Sequence, residues 1–134
     1  MLIFSKYKKN QIIGAFIKLK NFKKNRIDIC PENEFLQISL INLANKNFLK
    51  PHKHLKLNRN TSITQEAWIV LKGSIQTTIY DLNNKVLKKF IISNGDMFVL
   101  FRGGHSFKAL KKNTIMYEIK NGPYYGKKKD HKII

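Results

Sequence analysis

The sequence is poor in several residue types that mark particular classes of protein. Its 134 residues include one cysteine, three prolines and seven glycines. A lone cysteine, Cys30, excludes an intrachain disulfide framework and agrees with a reducing compartment. Because proline and glycine are scarce and 43% of the residues are hydrophobic, collagen-like and disordered classes are excluded for most of the chain. The length suits one domain with a sizeable core.

Long apolar runs are also missing, and we expect no secretory leader. The longest uncharged apolar runs, residues 11–17 and 98–101, are far shorter than the roughly 20 residues that a bilayer-spanning helix needs. The first six residues place their apolar side chains before the lysine and offer no small-residue cleavage site, unlike a signal peptide. We therefore expect no membrane span and a cytoplasmic protein.

Acidic residues are scarce as well, since 8 Asp and Glu face 26 Lys and Arg, for a net charge of +18. Only 3 of the basic residues are arginine, and Lys, Asn and Ile together fill 55 of the 134 positions. A/T-rich codons produce this bias, whereas a phosphate-binding surface favours the bidentate fork of arginine. The sequence also has no aromatic-basic stacking motif and no recognition helix. We expect no specific nucleic-acid partner.

What the sequence does contain is a rhythm of short apolar runs separated by turn residues. From residue 35 onward these runs cover residues 35–42, 67–71, 74–81, 86–92, 97–101, 106–110 and 114–120. Runs of this length at spacings near 8–12 residues predict an all-β protein, either a sandwich or a barrel.

Two of the runs alternate between apolar and polar residues, as antiparallel strands with one covered face do. Ile75, Thr77 and Ile79 lie on one face of the first run, and Ile115, Tyr117 and Ile119 lie on one face of the second. Residues 74–92 predict a hairpin closed by residues 81–85, because asparagine tolerates the positive φ of a tight turn.

The chain divides into three segments. Residues 1–34 form a basic N-terminal segment whose apolar stretch, residues 12–17, fits a short helix or an edge strand equally well. Residues 35–126 form the β domain. Residues 127–134 form a lysine-rich tail, and we expect the tail and its His131 to be solvated.

Three of the four histidines stand where one metal site can use them. His52 and His54 are two residues apart, so on a strand both imidazoles leave the same face about 7 Å apart. Glu66 opens the next apolar run, and His105 follows Gly103-Gly104, a pair suited to a tight turn that brings His105 inward. This nitrogen and oxygen set suits divalent Fe, Mn, Ni, Co or Zn. The alternative is a His-x-His pair in an ordinary surface loop.

These residues resemble the cupin superfamily. Its first motif, Gly-x₅-His-x-His-x₃₋₄-Glu-x₆-Gly, is similar to His52, His54, Glu66 and Gly73 in this chain, and its second, Gly-x₅-Pro-x-Gly-x₂-His, to residues 95–105. The chain departs from the motifs in four places. Lys46 and Phe101 replace the motifs' Gly and Pro, His105 comes one residue early, and eleven residues separate His54 from Glu66.

Residues 118–124 also resemble the ending of small single-domain cupins of the WbuC-like kind. The resemblance implies a jelly-roll fold with a divalent metal at His52, His54, Glu66 and His105. It further implies a role on a sugar or nucleotide-sugar in bacterial surface-polysaccharide metabolism. An enzyme of this kind would be a metal-dependent isomerase or epimerase, or an oxygenase; the alternative is a non-catalytic sugar-binding or scaffolding cupin.

The remaining expectations concern the ligand and the assembly. Arg59, Gln65 and Arg102 are candidates for binding a small-molecule substrate. Small cupins pair through exchanged N-terminal strands, so the resemblance implies a homodimer in which residues 2–4 are exchanged.

Overall fold

The structure, a computed structural model, describes residues 1–22, 25–43 and 50–134. Lys46, at the glycine position of the first motif, lies outside them. The described residues contain ten strands, which are β1 (Leu2–Phe4), β2 (Ile12–Ile17), β3 (Arg26–Asp28), β4 (Ser39–Ile41), β5 (Glu66–Lys72), β6 (Ser74–Tyr80), β7 (Val86–Ser93), β8 (Met97–Leu100), β9 (Gly104–Ala109) and β10 (Ile115–Lys120). A 3-10 helix (Leu19–Asn21) and a short helix α1 (Lys127–Asp130) complete the list. The predicted all-β class is confirmed.

All strand pairs are antiparallel, and they form three sheets. The five-stranded sheet has the order β1-β2-β8-β5-β10, the three-stranded sheet the order β7-β6-β9, and β3 pairs with β4. Within the described residues each sheet is open, and none closes into a barrel.

The two larger sheets share one hydrophobic core. The five-stranded sheet contributes Ile13, Trp68 and Phe98, all fully buried, and the three-stranded sheet contributes Ile79 and Ile92. Burying an apolar side chain of this size stabilises the fold by about 1.5–3 kcal/mol. This core holds the two sheets together as the layers of a sandwich.

The opposite face of the five-stranded sheet is covered by the chain itself. Ala67, Val99 and Phe101 are buried there with Cys30, and Ile38 packs against them. The segment between β3 and β4 thus closes the outer face of the central strands.

The predicted hairpin is confirmed by β6 and β7. The predicted set of β6, Ile75, Thr77 and Ile79, is buried, and Ser74 at the start of the strand is buried as well. In the turn, the Asn84 N–H donates to the Asp81 carbonyl at 2.8 Å, and Asn84 has a φ of 62°. The turn uses the conformational freedom of asparagine as expected.

The alternation in β10 has the opposite orientation to the one that the sequence predicts. Its apolar residues point outward, with Ile115 52%, Tyr117 60% and Ile119 45% exposed. The pairing register with β5 sets Glu118 opposite Trp68 and Lys120 opposite Glu66. Because Trp68 faces the core, the polar set of β10 must face inward too.

The N-terminal stretch is a strand and not a helix. β2 lies between β1 and β8, so β1 and not β2 occupies the sheet edge. Residues 2–4 pair with β2 of their own chain and bury Ile3. The homodimer stays a prediction. Among the described residues, no helix has the length and apolar character needed to cross a membrane.

Candidate functional site

A cavity of about 380 Å³ lies where the two larger sheets meet the C-terminal residues. β5 contributes Glu66, β9 contributes Gly104 and His105, and β10 contributes Lys120. β8 contributes Leu100. The other lining residues come from the loops and from the C-terminal residues, and they are Thr64, Asn84, Gly103, Tyr124, Asp130, His131, Lys132 and Ile134.

Glu66 is the most buried charged group of the cavity. Its side chain is 10% exposed, and its Oε2 atom lies 3.4 Å from Nε2 of His105. Oε2 is buried without a hydrogen-bond partner, while Oε1 lies 3.8 Å from Nζ of Lys120. An unsatisfied buried acceptor costs about 1–3 kcal/mol. Glu66 therefore lines the cavity with one of its two carboxyl oxygens unsatisfied.

His105 is held by the turn before β9 and by aromatic neighbours. Gly103 has a φ of 87°, which favours glycine, and the chain enters β9 directly after it. The imidazole centroid lies 4.5 Å from the Trp68 ring and 6.4 Å from that of Phe107, which it stacks on. The Gly-Gly turn brings His105 to the cavity wall, as the sequence predicts.

The electrostatics of this pair follow from burial. Burial raises the pKa of Glu66, as does repulsion by Glu118, and the nearby positive charges of Lys120 and His131 only partly oppose the shift. Burial also lowers the pKa of His105, and Lys120 and His131 act in the same direction. Both shifts make the charged form of the group less favourable than it is in water.

Behind the pair, Glu118 and Lys120 form a fixed ion pair. The Glu118 carboxylate accepts hydrogen bonds from Lys120 at 3.0 Å and from the Trp68 indole N–H at 3.2 Å. Burial alone would raise the pKa of Glu118, but these bonds outweigh it and lower the pKa. Lys120 Nζ also lies 4.8 Å from the Tyr124 ring centroid. These contacts fix Lys120 beside the Glu66 carboxylate.

His52, His54 and Arg59 lie apart from this cavity. The expectation that His52 and His54 sit on a strand is wrong, because residues 50–65 contain no strand and all three side chains are exposed. Pro51 has no N–H to donate, and the surrounding lysines and asparagines are poor strand formers. The two imidazole centroids are 5.5 Å apart, and His52 Nδ1 lies 3.0 Å from the Lys50 carbonyl.

The four residues of the predicted metal set are therefore not assembled together. The structure brings Glu66 and His105 into contact and leaves His52 and His54 on the exposed segment. Within residues 1–22, 25–43 and 50–134, no group of three or more His, Cys, Asp or Glu has the spacing of a metal site. As arranged, the residues offer two of the four ligands, and the divalent metal stays a prediction.

Gln65 and Arg102 use their polar atoms within the protein. The Gln65 side-chain amide donates to Glu34 Oε2 at 2.6 Å and accepts the Leu36 N–H at 2.7 Å. Arg102 donates to both Glu34 oxygens, at 2.7 and 2.8 Å, and to the Ile12 carbonyl. Neither residue lines the cavity, and both join the N-terminal segment to the sheets.

The sequence analysis missed Lys120 and the C-terminal residues of the cavity. The β5–β10 register that sets Lys120 opposite Glu66 joins residues 54 positions apart, and no local pattern signals it. His131 is exposed as expected, yet it also lines the cavity. Comparison with known proteins finds no matching family, no matching curated protein and no matching solved structure.

Proposed function

We propose that the chain is a small cupin of the jelly-roll type that binds a sugar or a similar polyol in the Glu66–His105 cavity. The observation that supports this proposal is the buried Glu66 Oε2, which has no hydrogen-bond partner and faces His105 in a cavity open to a small molecule. Ligand pockets combine apolar walls with a few polar groups of this kind.

The chemistry of the pair suits neighbouring hydroxyl groups. A carboxyl group and an imidazole together offer hydrogen-bond acceptors and a donor, so the pair matches a vicinal diol. Tyr124, 55% exposed, lines the same cavity and offers an aromatic face to the C–H side of a sugar ring. Trp68 is fully buried and belongs to the core.

The same two groups can also move protons. A carboxyl and an imidazole in contact supply a general acid and a general base within reach of one substrate. Sugar isomerisation and epimerisation are the reactions that this pair favours, and surface-polysaccharide synthesis is the setting that we propose. The alternative, a non-catalytic sugar-binding protein, would use the same contacts. A measurement of sugar turnover distinguishes it from an enzyme.

The chain carries its own reporter for the proposed site. Trp68 is the only tryptophan, and its ring lies against His105. Titration of neutral hexoses, each followed by Trp68 emission, is expected to give a saturable change for at least one sugar. Glu66→Gln should weaken that binding about tenfold, since it replaces one of the two carboxyl oxygens by an amide NH₂ and so loses a hydrogen bond worth about 1.4 kcal/mol.

Glu32→Gln is the matched control, because Glu32 is exposed and lies outside the cavity. The proposal fails if no hexose changes the emission, or if the two glutamine variants bind the sugar equally well. We place the protein in the cytoplasm, a reducing compartment that suits its buried free thiol, Cys30.

A further inference from the structure

The C-terminal segment, residues 127–134, forms one wall of the cavity. It begins with α1 and continues in extended conformation from His131. His131, Lys132 and Ile134 line the cavity together with Glu66 and His105. The segment is therefore in position to contact whatever the cavity holds.

Ile134 anchors this segment to the first residue of β9, Gly104. A Cβ atom added at Gly104 would overlap Cδ1 of Ile134, so the isoleucine side chain rests directly on the glycine. Ile134 is 53% exposed, whereas its neighbour Ile133 is 97% exposed. α1 itself buries no residue. Ile134 therefore contacts the cavity wall, whereas its neighbour Ile133 is exposed.

Two basic side chains of the segment, His131 and Lys132, line the cavity. Across the part of the chain that the structure describes, neither His131 nor Lys132 forms an ion pair, whereas Lys120 is paired with Glu118. The Asp130 carboxylate accepts the Tyr125 N–H at 3.2 Å. Lys127, Lys128 and Lys129 add positive potential at the same end of the molecule.

We propose that residues 127–134 are a binding strap that holds an anionic group of the ligand through His131 and Lys132, with Ile134 as its anchor. The inference rests on the proposed sugar site and makes its ligand an anionic sugar. The sugar hydroxyls contact Glu66 and His105 inside the cavity, and the phosphate or carboxylate lies at the mouth. In this arrangement the anionic group lies beside Lys132, and the hydroxyl groups lie beside the buried carboxyl of Glu66.

Inorganic phosphate and acetate are the probes, because they separate the two sources of anionic charge. Each is titrated at constant ionic strength, set with potassium chloride, while Trp68 emission is recorded. We expect a saturable change with one of them and none with chloride alone. Lys132→Gln should weaken that binding about tenfold or more, and Lys128→Gln, at a residue that does not line the cavity, by less than about twofold.

The anchor is tested by a pair of variants that carry the same added charge. Ile134→Asp and Ile133→Asp each add one negative charge at neighbouring positions, but only the first removes the contact with Gly104. We expect Ile134→Asp to weaken anion binding well beyond Ile133→Asp, with both variants melting like wild type. Equal binding by the two variants overturns the strap, as does a phosphate and acetate effect no larger than that of chloride.

Neutral hexoses separate this inference from the proposed function. If the wild-type protein binds a hexose but shows no effect of phosphate or acetate, the strap is wrong and the sugar site stands. Anion binding without any hexose binding removes the sugar site, and with it the anionic-sugar inference. Binding of both probes, with loss of the anion alone in Ile134→Asp, supports both.

Discussion

At the scale of single residues, Asp81 joins the N-terminal strand to the hairpin turn. Its carboxylate accepts hydrogen bonds from the Ser5 hydroxyl at 2.6 Å and from the backbone N–H groups of Lys6, Tyr7 and Leu82 at 2.7, 3.1 and 2.8 Å. Burial alone would raise the pKa of Asp81, but these hydrogen bonds outweigh it and lower the pKa. The ionised carboxylate therefore stabilises the fold.

Asp81→Asn should lower the free energy of unfolding at neutral pH by about 1–3 kcal/mol, because an amide cannot accept from all four donors. Since the pKa is lower in the folded state, the contribution of Asp81 is present above the unfolded pKa and is lost as the pH falls through the folded value. Urea unfolding at several pH values should thus show wild type and variant converging in acid. Asp28→Asn, at an exposed carboxylate, is the control and should change stability less.

Gly103 and Gly104 are adjacent but have different constraints. Gly103 has a φ of 87°, and an added Cβ would lie 2.5 Å from the Tyr80 carbonyl oxygen, which is backbone. At Gly104 the added Cβ would meet the end of the flexible Ile134 side chain. Gly103→Ala should destabilise the protein by about 1–2 kcal/mol or more, and Gly104→Ala by clearly less. Thermal unfolding followed by circular dichroism measures both, and equal losses would contradict the assigned turn.

The predicted divalent metal is tested on untagged protein by elemental analysis. If His52, His54, Glu66 and His105 share one ion, the exposed segment that carries His52 and His54 must move to the cavity when the ion binds. We expect one ion per chain, its loss in His105→Ala and in His52→Ala, and a smaller weakening in Glu66→Gln. Protein that purifies without metal, and gains no melting temperature from Fe, Mn, Ni, Co or Zn, would show that the predicted set is wrong.

Part of the site was predictable from single residues and part was not. Glu66 and His105 stand out because their residue types resemble motifs that carry chemistry, although their spacing departs from those motifs, and the structure brings them together. Lys120 and Ile134 carry no such signal. A strand register places the first and a contact with Gly104 places the second, and both depend on the folded chain rather than on neighbouring sequence.

At the scale of secondary-structure elements, the two faces of β10 have opposite environments from those that its pattern predicts. Met116 packs against the core, whereas Tyr117 and Ile119 are exposed. Tyr117→Thr and Ile119→Thr should each change the free energy of unfolding by no more than about 0.5 kcal/mol. Met116→Thr should cost clearly more, because it removes buried apolar surface. Urea unfolding of the three variants measures these changes. A larger loss of stability in Tyr117→Thr and Ile119→Thr than in Met116→Thr would contradict the β5–β10 register.

The strands themselves were predictable because short apolar runs and turn residues are local properties. The hairpin of β6 and β7 combines both, and its buried face agrees with the pattern. Local pattern could not settle two points. Residues 12–17 fit a helix or a strand until pairing with β1 and β8 fixes them, and the inward face of β10 is set by Trp68 and Glu66 on another strand.

At the scale of the whole molecule, the net charge of +18 predicts that the protein binds polyanions non-specifically. Non-specific association with DNA or RNA gains its free energy from released counterions and falls steeply with salt. Fluorescence anisotropy with two unrelated duplexes should give equal affinities that fade together between low and physiological salt. Tight binding of one sequence over the other near physiological salt would contradict this expectation.

The outward residues of β10 have a practical consequence for how the protein behaves in solution. Ile115, Tyr117 and Ile119 form an apolar strip on a strand at the edge of the five-stranded sheet. Repulsion between molecules of net charge +18 opposes contact between two such strips, and added salt shortens its range to about 8 Å at physiological ionic strength. Precipitants that screen charge should therefore favour contact between the strips of two molecules, and dilute buffer should disfavour it. Solubility and crystal growth of this protein should be governed by ionic strength more than by concentration.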